Sequence, residues 1–239
     1  VTGTSYLTCA NATQPADPAG GMVFQQVTVA GSVITATVPA LPPAYRDPVS
    51  SRLRHINVAS YATSGDGTTT RPWIGWDTAI AWATQTYVFP CGFYSYSVAP
   101  NWSIAGIRLF GYNCATLRYT GTGNAVIFDG SAAGEGRFNV EMAGFTIDGS
   151  GTATKGLFIN STHHGVFRQL RFNSVTTDVV RCEFCVLNML DRIIYSVNSD
   201  TMVGTATNGI VLTSRPSDGQ RSSANTVTVP IIEGVSNAG

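Results

Sequence analysis

Short apolar runs that recur along the second half of the chain constrain its fold more than any other feature. The apolar residue before the turn is Leu109 in GIRLFG, Ile147 in GFTIDG, Phe172 in QLRFNS, Tyr195 in RIIYSV and Ile232 in VPIIEG, with steps of 38, 25, 23 and 37 residues. A second series, Ile127, Phe158, Val180 and Val211, alternates with the first in steps of 31, 22 and 31. A basic step near 22 to 25 residues, lengthened by loops, suits a parallel β-helix in which each coil stacks on the last. An immunoglobulin-like sandwich would instead give turn signals every ~8–12 residues without such alternation.

Stacking also accounts for the composition. Equivalent residues of coils ~4.8 Å apart form ladders, and like charges in a ladder repel. Charged residues are only 12 % of the chain, and Gly, Asn, Ser and Thr fill the spaces between runs. The 14 basic and 14 acidic residues balance, and no basic stripe points to a nucleic-acid partner. No segment approaches the ~20 apolar residues of a membrane-spanning helix, so no membrane insertion is expected. Five cysteines leave at least one unpaired. Cys182-x-x-Cys185 has half the spacing of a zinc site, but no second pair follows; neither a metal nor a cofactor is expected.

The organisation divides near residue 50. Residues 1–50 read as an N-terminal arm: a polar loop, two strands around Ala30-Gly31-Ser32 forming a hairpin, then a proline-rich break at Pro39, Pro42, Pro43 and Pro48. Residues 51–239 read as the β-helix domain, opened by one helix in GWDTAIAWATQ with Asp77 or Thr78 as its cap. That helix is placed to cover the first coil. The chain starts without an initiator Met and is expected to be processed or fragmentary, stopping inside the stack of coils.

INVASYATSGDGTTT at 56–70, WDTAIAWA, and TYVFPCGFYSYS at 86–97 resemble, in that order, the opening of the pectate-lyase-like superfamily. That superfamily comprises right-handed single-stranded parallel β-helices, among them polysaccharide lyases, glycoside hydrolases and phage tailspikes. The resemblance implies an all-β fold with an N-terminal capping helix, a polysaccharide partner, a homotrimer if the protein is a tailspike, and an extracellular or virion-tail location. Departures lie in the capping region: Thr69, Thr70 and RPWIG replace the usual acidic pair, and Cys91 replaces a proline. The matching motifs are scaffold and leave the activity open between enzyme and non-enzymatic binding or structural protein.

Candidate chemistry is sparse. Asp148 reads first as a corner residue, aligned with Asn173 and Ser196, and second as one carboxylate of an acid–base pair. Asp129 and Asp178 are turn-like. Asp191 and Arg168 occupy the same offset in adjacent coils and are expected to form an ion pair. Arg171, expected to point outward between Leu170 and Phe172, fits the charge stabiliser or base of a lyase. His163-His164 cannot both face one way on a strand. Among the aromatics crowding the first coils, which also include Trp73, Trp76, Tyr94 and Tyr96, Trp102, Tyr112 and Tyr119 are the candidates for stacking on sugar rings.

Overall fold

The computed structural model describes residues 25–30, 33–39, 55–133, 136–195 and 205–235. The chain divides into two compact units, residues 1–53 and 54–239. In the first, β1 (Gln25–Ala30) and β2 (Val33–Pro39) form an antiparallel hairpin in which Ala30 faces Val33. Pro39, expected to break the ladder, is instead its last residue, opposite Gln25. An end position on a two-stranded ladder tolerates the missing N–H.

The second unit begins with β3 (His55–Asn57), a 3₁₀ turn and the helix α1 (Trp76–Ala79). The strands that follow are β4 (Thr86–Val88), β5 (Gly92–Tyr96), β6 (Arg108–Tyr119), β7 (Gly123–Asp129), β8 (Arg137–Phe138), β9 (Glu141–Asn160), β10 (Thr162–His163), β11 (Val166–Glu183), β12 (Met189–Tyr195), β13 (Asn208–Thr213), β14 (Thr226–Thr228) and β15 (Ile231–Ile232). Every pairing between named strands of this unit is parallel. The long strands β9 and β11 each contribute three consecutive stretches. Residues 141–143, 145–148 and 153–160 of β9 lie beside 166–168, 170–173 and 175–183 of β11. The mostly parallel sheet with one small helix is compatible with a β-helix-like stack of coils.

Single residues with left-handed backbone separate the stretches. Gly144 (φ 74°), Gln169 (φ 54°) and Arg192 (φ 51°) turn the first stretch into the second; Ser150 (φ 51°) and Ser174 (φ 54°) turn the second into the third. One such residue reverses the in–out alternation locally. Arg168 and Arg171, three apart, therefore both face outward, while Leu170 and Phe172 are fully buried.

The first sequence series is observed from its second member on. Ile147, Phe172, Tyr195 and Ile232 occupy one register position, and all but Ile232 are fully buried. Leu109 departs: it faces Met142, and Leu117 takes its place beside Ile147, because Gly111–Cys114 is inserted between the two stretches of β6. The second series slips by one residue at Val180, where Phe158 faces Arg181 and Val180 faces Leu157. Val126, Leu157, Val180 and Ile210 form the inner row there, and Ile127, Phe158, Arg181 and Val211 the outer one.

The expected long helix is a single four-residue turn. Its N-cap is Gly75 (φ 75°), with no capping side chain, and Ile80 is already extended. Aromatic packing overrides the helical periodicity. Trp76 is fully buried and meets Trp82, Phe89, Tyr94 and Tyr96 edge-on at centroid distances of 5.4 to 6.3 Å. The Trp82 indole donates to Asp77 O (3.3 Å), and the Ala83 N–H donates to the Tyr87 hydroxyl (2.8 Å), drawing off groups a longer helix would use. Just before it, Gly67 lies under the Trp73 ring, where a Cβ would meet the indole at 2.7 Å. The Asp66 carboxylate accepts from the Thr68 N–H and hydroxyl, which hold its pKa below the ordinary value. The GDG motif is thus a turn.

Two disulfides tie the unit together: Cys91–Cys114 joins β5's entry to β6, and Cys182–Cys185 closes a short loop. The half-zinc spacing is accordingly a disulfide, and the described residues contain no cluster fit to hold a metal ion. Among the described residues no helix is long and apolar enough to cross a membrane.

Candidate functional site

The outer surface of the first two stretches carries most of the sequence-predicted residues. Register builds it as four ladders. The first runs Arg108–Glu141–Val166–Met189–Thr226, the second Phe110–Ala143–Arg168–Asp191–Thr228. The third runs Phe93–Thr116–Thr146–Arg171–Ile194–Ile231, the fourth Ser95–Arg118–Asp148–Asn173.

Asp148 sits where the corner reading puts it. Its Oδ1 accepts the Ser150 N–H at 3.0 Å, an Asx turn supporting the left-handed Ser150, and its Oδ2 lies 3.5 Å from Arg118 Nε. Asn173 stacks beside it; Ser196 lies outside the described residues. Arg118 is held in turn by Thr69 O at 3.1 Å and lies 4.9 Å from the centroid of the Phe93 ring. This carboxylate is engaged on both oxygens, and the neighbour on each side of its ladder is an Arg or an Asn rather than a second acid.

Arg168 and Asp191 are register partners, as expected, but do not pair with each other. Arg168 reaches the other way to Glu141 (2.7 Å), which also faces Arg108 at 3.8 Å. Asp191 accepts from Thr228 (2.6 Å) and lies 3.6 Å from Arg192 Nε. Glu141 is the partner that sequence reasoning missed; its alignment with Arg108 needs the β6 insertion to be known. Arg171 faces outward and exposed, with no ion-pair partner among the described residues.

Several other acids are turn or packing groups. Asp129 accepts the Ser131 N–H at 3.0 Å. Asp178, 1 % exposed, accepts from Arg181 (3.2 Å) and Asn208 (2.7 Å), while Arg181 also donates to Glu183 at 2.7 Å. The hydrogen bond to Glu183 is the main cause raising the already high pKa of Arg181. Asp218 is held by Arg215, which lowers its pKa, the direction opposite to that a general acid needs. His163 is buried, stacked on Phe138 at 4.9 Å, whereas His164 is exposed with φ 54°.

The aromatic candidates separate sharply. Trp102 is fully buried among Trp82, Phe89 and Phe128, so it presents no surface to a sugar. Tyr119 is 4 % exposed; its hydroxyl donates to Thr122 O, and burial pushes its pKa up. Both are packing residues, held in ring contacts with Trp82, Phe89 and Phe128 for Trp102 and with Tyr96 for Tyr119. Tyr112 alone of the three is exposed, at 62 %.

A protein of Geobacillus virus E2, ORF18, has a similar structure: TM-score 0.56, 16 % sequence identity, with 74 % of this chain matched to 36 % of that one. The fold has a phage relative. At this identity the likeness concerns the fold alone, and the chain spans about a third of the viral protein's length. No protein-family model matches the chain. No curated protein matches it either.

Proposed function

We propose that this protein is a non-enzymatic, polysaccharide-binding or structural component of the tailspike or tail-fibre kind, built as a right-handed parallel β-helix that works as a homotrimer at the virion tail or outside the cell. The observation carrying this reading is the state of the carboxylates on the outer ladders: Asp148, Glu141 and Asp191 are each tied into an Asx turn, a hydroxyl contact or an arginine pair. A glycosidase needs two carboxyl groups facing one bond from opposite sides, ~5–9.5 Å apart, with one free to give up a proton. The fold's likeness to a phage protein supports the same direction. The pectate-lyase-like resemblance of residues 56–97 supports the coil type and a glycan partner.

A second reading rests on Arg171, exposed and without a carboxylate partner, as the base or charge stabiliser of a lyase acting on acidic sugars. Analytical ultracentrifugation combined with binding to immobilised polysaccharides tests the leading reading. A trimer that binds glycan and releases intact chains is expected. A monomer that shortens the bound chains would overturn it.

A further inference from the structure

The outer surface of the third stretch differs in kind from that of the first two. Its central row is Ile127–Phe158–Arg181–Val211. Asn124–Lys155–Asp178–Asn208 flanks it on one side and Asp129–Asn160–Glu183–Thr213 on the other. Three of the four central residues are apolar, half-buried and directed away from the interior. The charges here are also drier. Arg181 donates to Asp178 at 3.2 Å and to Glu183 at 2.7 Å, and Asn208 donates to Asp178 at 2.7 Å. The Arg181 side chain is 28 % exposed and its two acids 1 % and 11 %. By contrast Arg108, Arg168 and Arg192, paired on the first two stretches and their corner, keep 47 to 60 % of their side chains exposed. Covering an ion pair costs the water it still holds. Folding has already stripped most of that water from the Arg181 cluster, so this surface loses least when another protein covers it.

The flanking rows carry opposite accessible charge. In the first, Asp178 is buried, which leaves Lys155. Its Nζ lies 5.4 Å from the centroid of its own Phe158 ring, and it has no carboxylate partner among the described residues. In the other row Asp129 is half-buried. One of its carboxylate oxygens accepts the Ser131 N–H, and the cation near it, Arg215, is already paired with Asp218. Parallel register fixes the height of each residue along the stack. A symmetry axis parallel to the stack keeps those heights and sets the first flanking row of one copy against the second flanking row of the next. Lys155 then stands opposite Asn160, with Asp129 one coil of ~4.8 Å away, within reach of a lysine side chain. An axis across the stack would set each row against itself, with no accessible acid opposite Lys155.

We infer that the outer surface of the third stretch, centred on Ile127, Phe158, Arg181 and Val211, is where copies of this chain meet side by side with their stacks parallel, Lys155 of one copy pairing with Asp129 of the next. The apolar row supplies the contact, and the Arg181 cluster enters it already neutralised. The inference rests on the homotrimer of the reading above and adds the surface that builds it and the direction in which the copies run. The surface around Arg171 stays open.

The test is sedimentation of the full chain across a concentration series, with far-ultraviolet circular dichroism to check folding. Wild type assembles. Phe158→Asp and Val211→Asp each raise the dissociation constant about tenfold or more while the spectrum is unchanged. Lys155→Glu weakens assembly too, and adding Asp129→Lys to it restores assembly. Arg171→Asp, on the other surface, assembles as wild type. Should Phe158→Asp fail to fold, Val211→Asp and the Lys155 variants decide. A trimer that withstands both Val211→Asp and Lys155→Glu refutes the surface and leaves the homotrimer standing, as does a trimer dispersed by Arg171→Asp alone. Lys155→Glu that stays dispersed after Asp129→Lys refutes the parallel arrangement. A monomeric wild type removes the homotrimer reading itself, and this inference with it.

Discussion

Replacing Asp148 by Asn and by Ala separates a turn residue from a catalytic one. Asp148→Asn keeps an oxygen to accept the Ser150 N–H and loses only the Arg118 ion pair. That pair spans 3.5 Å with side chains 23 % and 25 % exposed, which makes it worth about 0–1 kcal/mol. Asp148→Ala loses the pair and the Asx hydrogen bond, about 1 kcal/mol more, and leaves Ser150 in its left-handed conformation unsupported. For a unit of this size 1 kcal/mol moves the melting temperature by ~2–4 °C. The Asn variant should therefore melt within ~4 °C of wild type and the Ala variant ~2–8 °C below it, with the Ala variant always the lower. Thermal unfolding followed by circular dichroism measures both. Equal destabilisation by Asn and Ala would show that the charge, not the turn, matters. A wild-type activity abolished by Asp148→Asn without a change in melting would make Asp148 catalytic and refute the argument.

Other consequences follow from the same contacts. Arg181→Met leaves Asp178, 1 % exposed, and Glu183 without their cation and should cost about 3–5 kcal/mol in chemical denaturation; a loss below about 1 kcal/mol would mean the cluster is solvated. Under native conditions with a mild reductant, alkylation followed by mass spectrometry should label Cys91 and Cys114, which are exposed, well before Cys182 and Cys185, which are fully buried. The pKa of Asp218 is depressed by Arg215, so its contribution to stability is present above the ordinary value of 3.8 and is lost as pH falls toward the lower folded value. Melting temperatures of wild type and Asp218→Asn should therefore differ at neutral pH and converge in acid; a gap that persists at low pH would contradict the assignment.

The coil repeat was legible because inward apolar residues recur at a fixed offset from the turn, and Ile147, Phe172, Tyr195 and Ile232 stack accordingly. Where the reading slipped, the cause is local backbone that leaves no sequence mark. The Gly111–Cys114 insertion displaced Leu109, and register irregularities between Asn173 and Asp178 moved Val180 by one residue. Left-handed corners at Gln169, Ser174 and Arg192 use ordinary residues, so a run such as FRQLRF reads as one straight strand although it turns in the middle. The helix is shorter than its apolar face of Ile80 and Ala83 with Ala79 and Trp82 implies, because Trp82 packs edge-on against Trp76 and donates to Asp77 O while Ile80 is already extended. Trp102 and Tyr119, candidates for stacking on sugars by sequence, are buried: sequence reports that aromatics cluster, not which way they face. Asp148's place at a turn is legible from its shared offset with Asn173, and Arg171's outward direction from the alternation with Leu170 and Phe172.

The central claim is that the protein engages polysaccharide without cutting it. The most direct measurement incubates it with a panel of acidic and neutral polysaccharides that includes those it binds, and follows both new reducing ends and unsaturated uronates. The account predicts binding with neither product. Unsaturated uronates that disappear in Arg171→Ala would establish a lyase on the flat surface; reducing ends alone, lost in Asp148→Asn, would establish a hydrolase. Either result would contradict the claim.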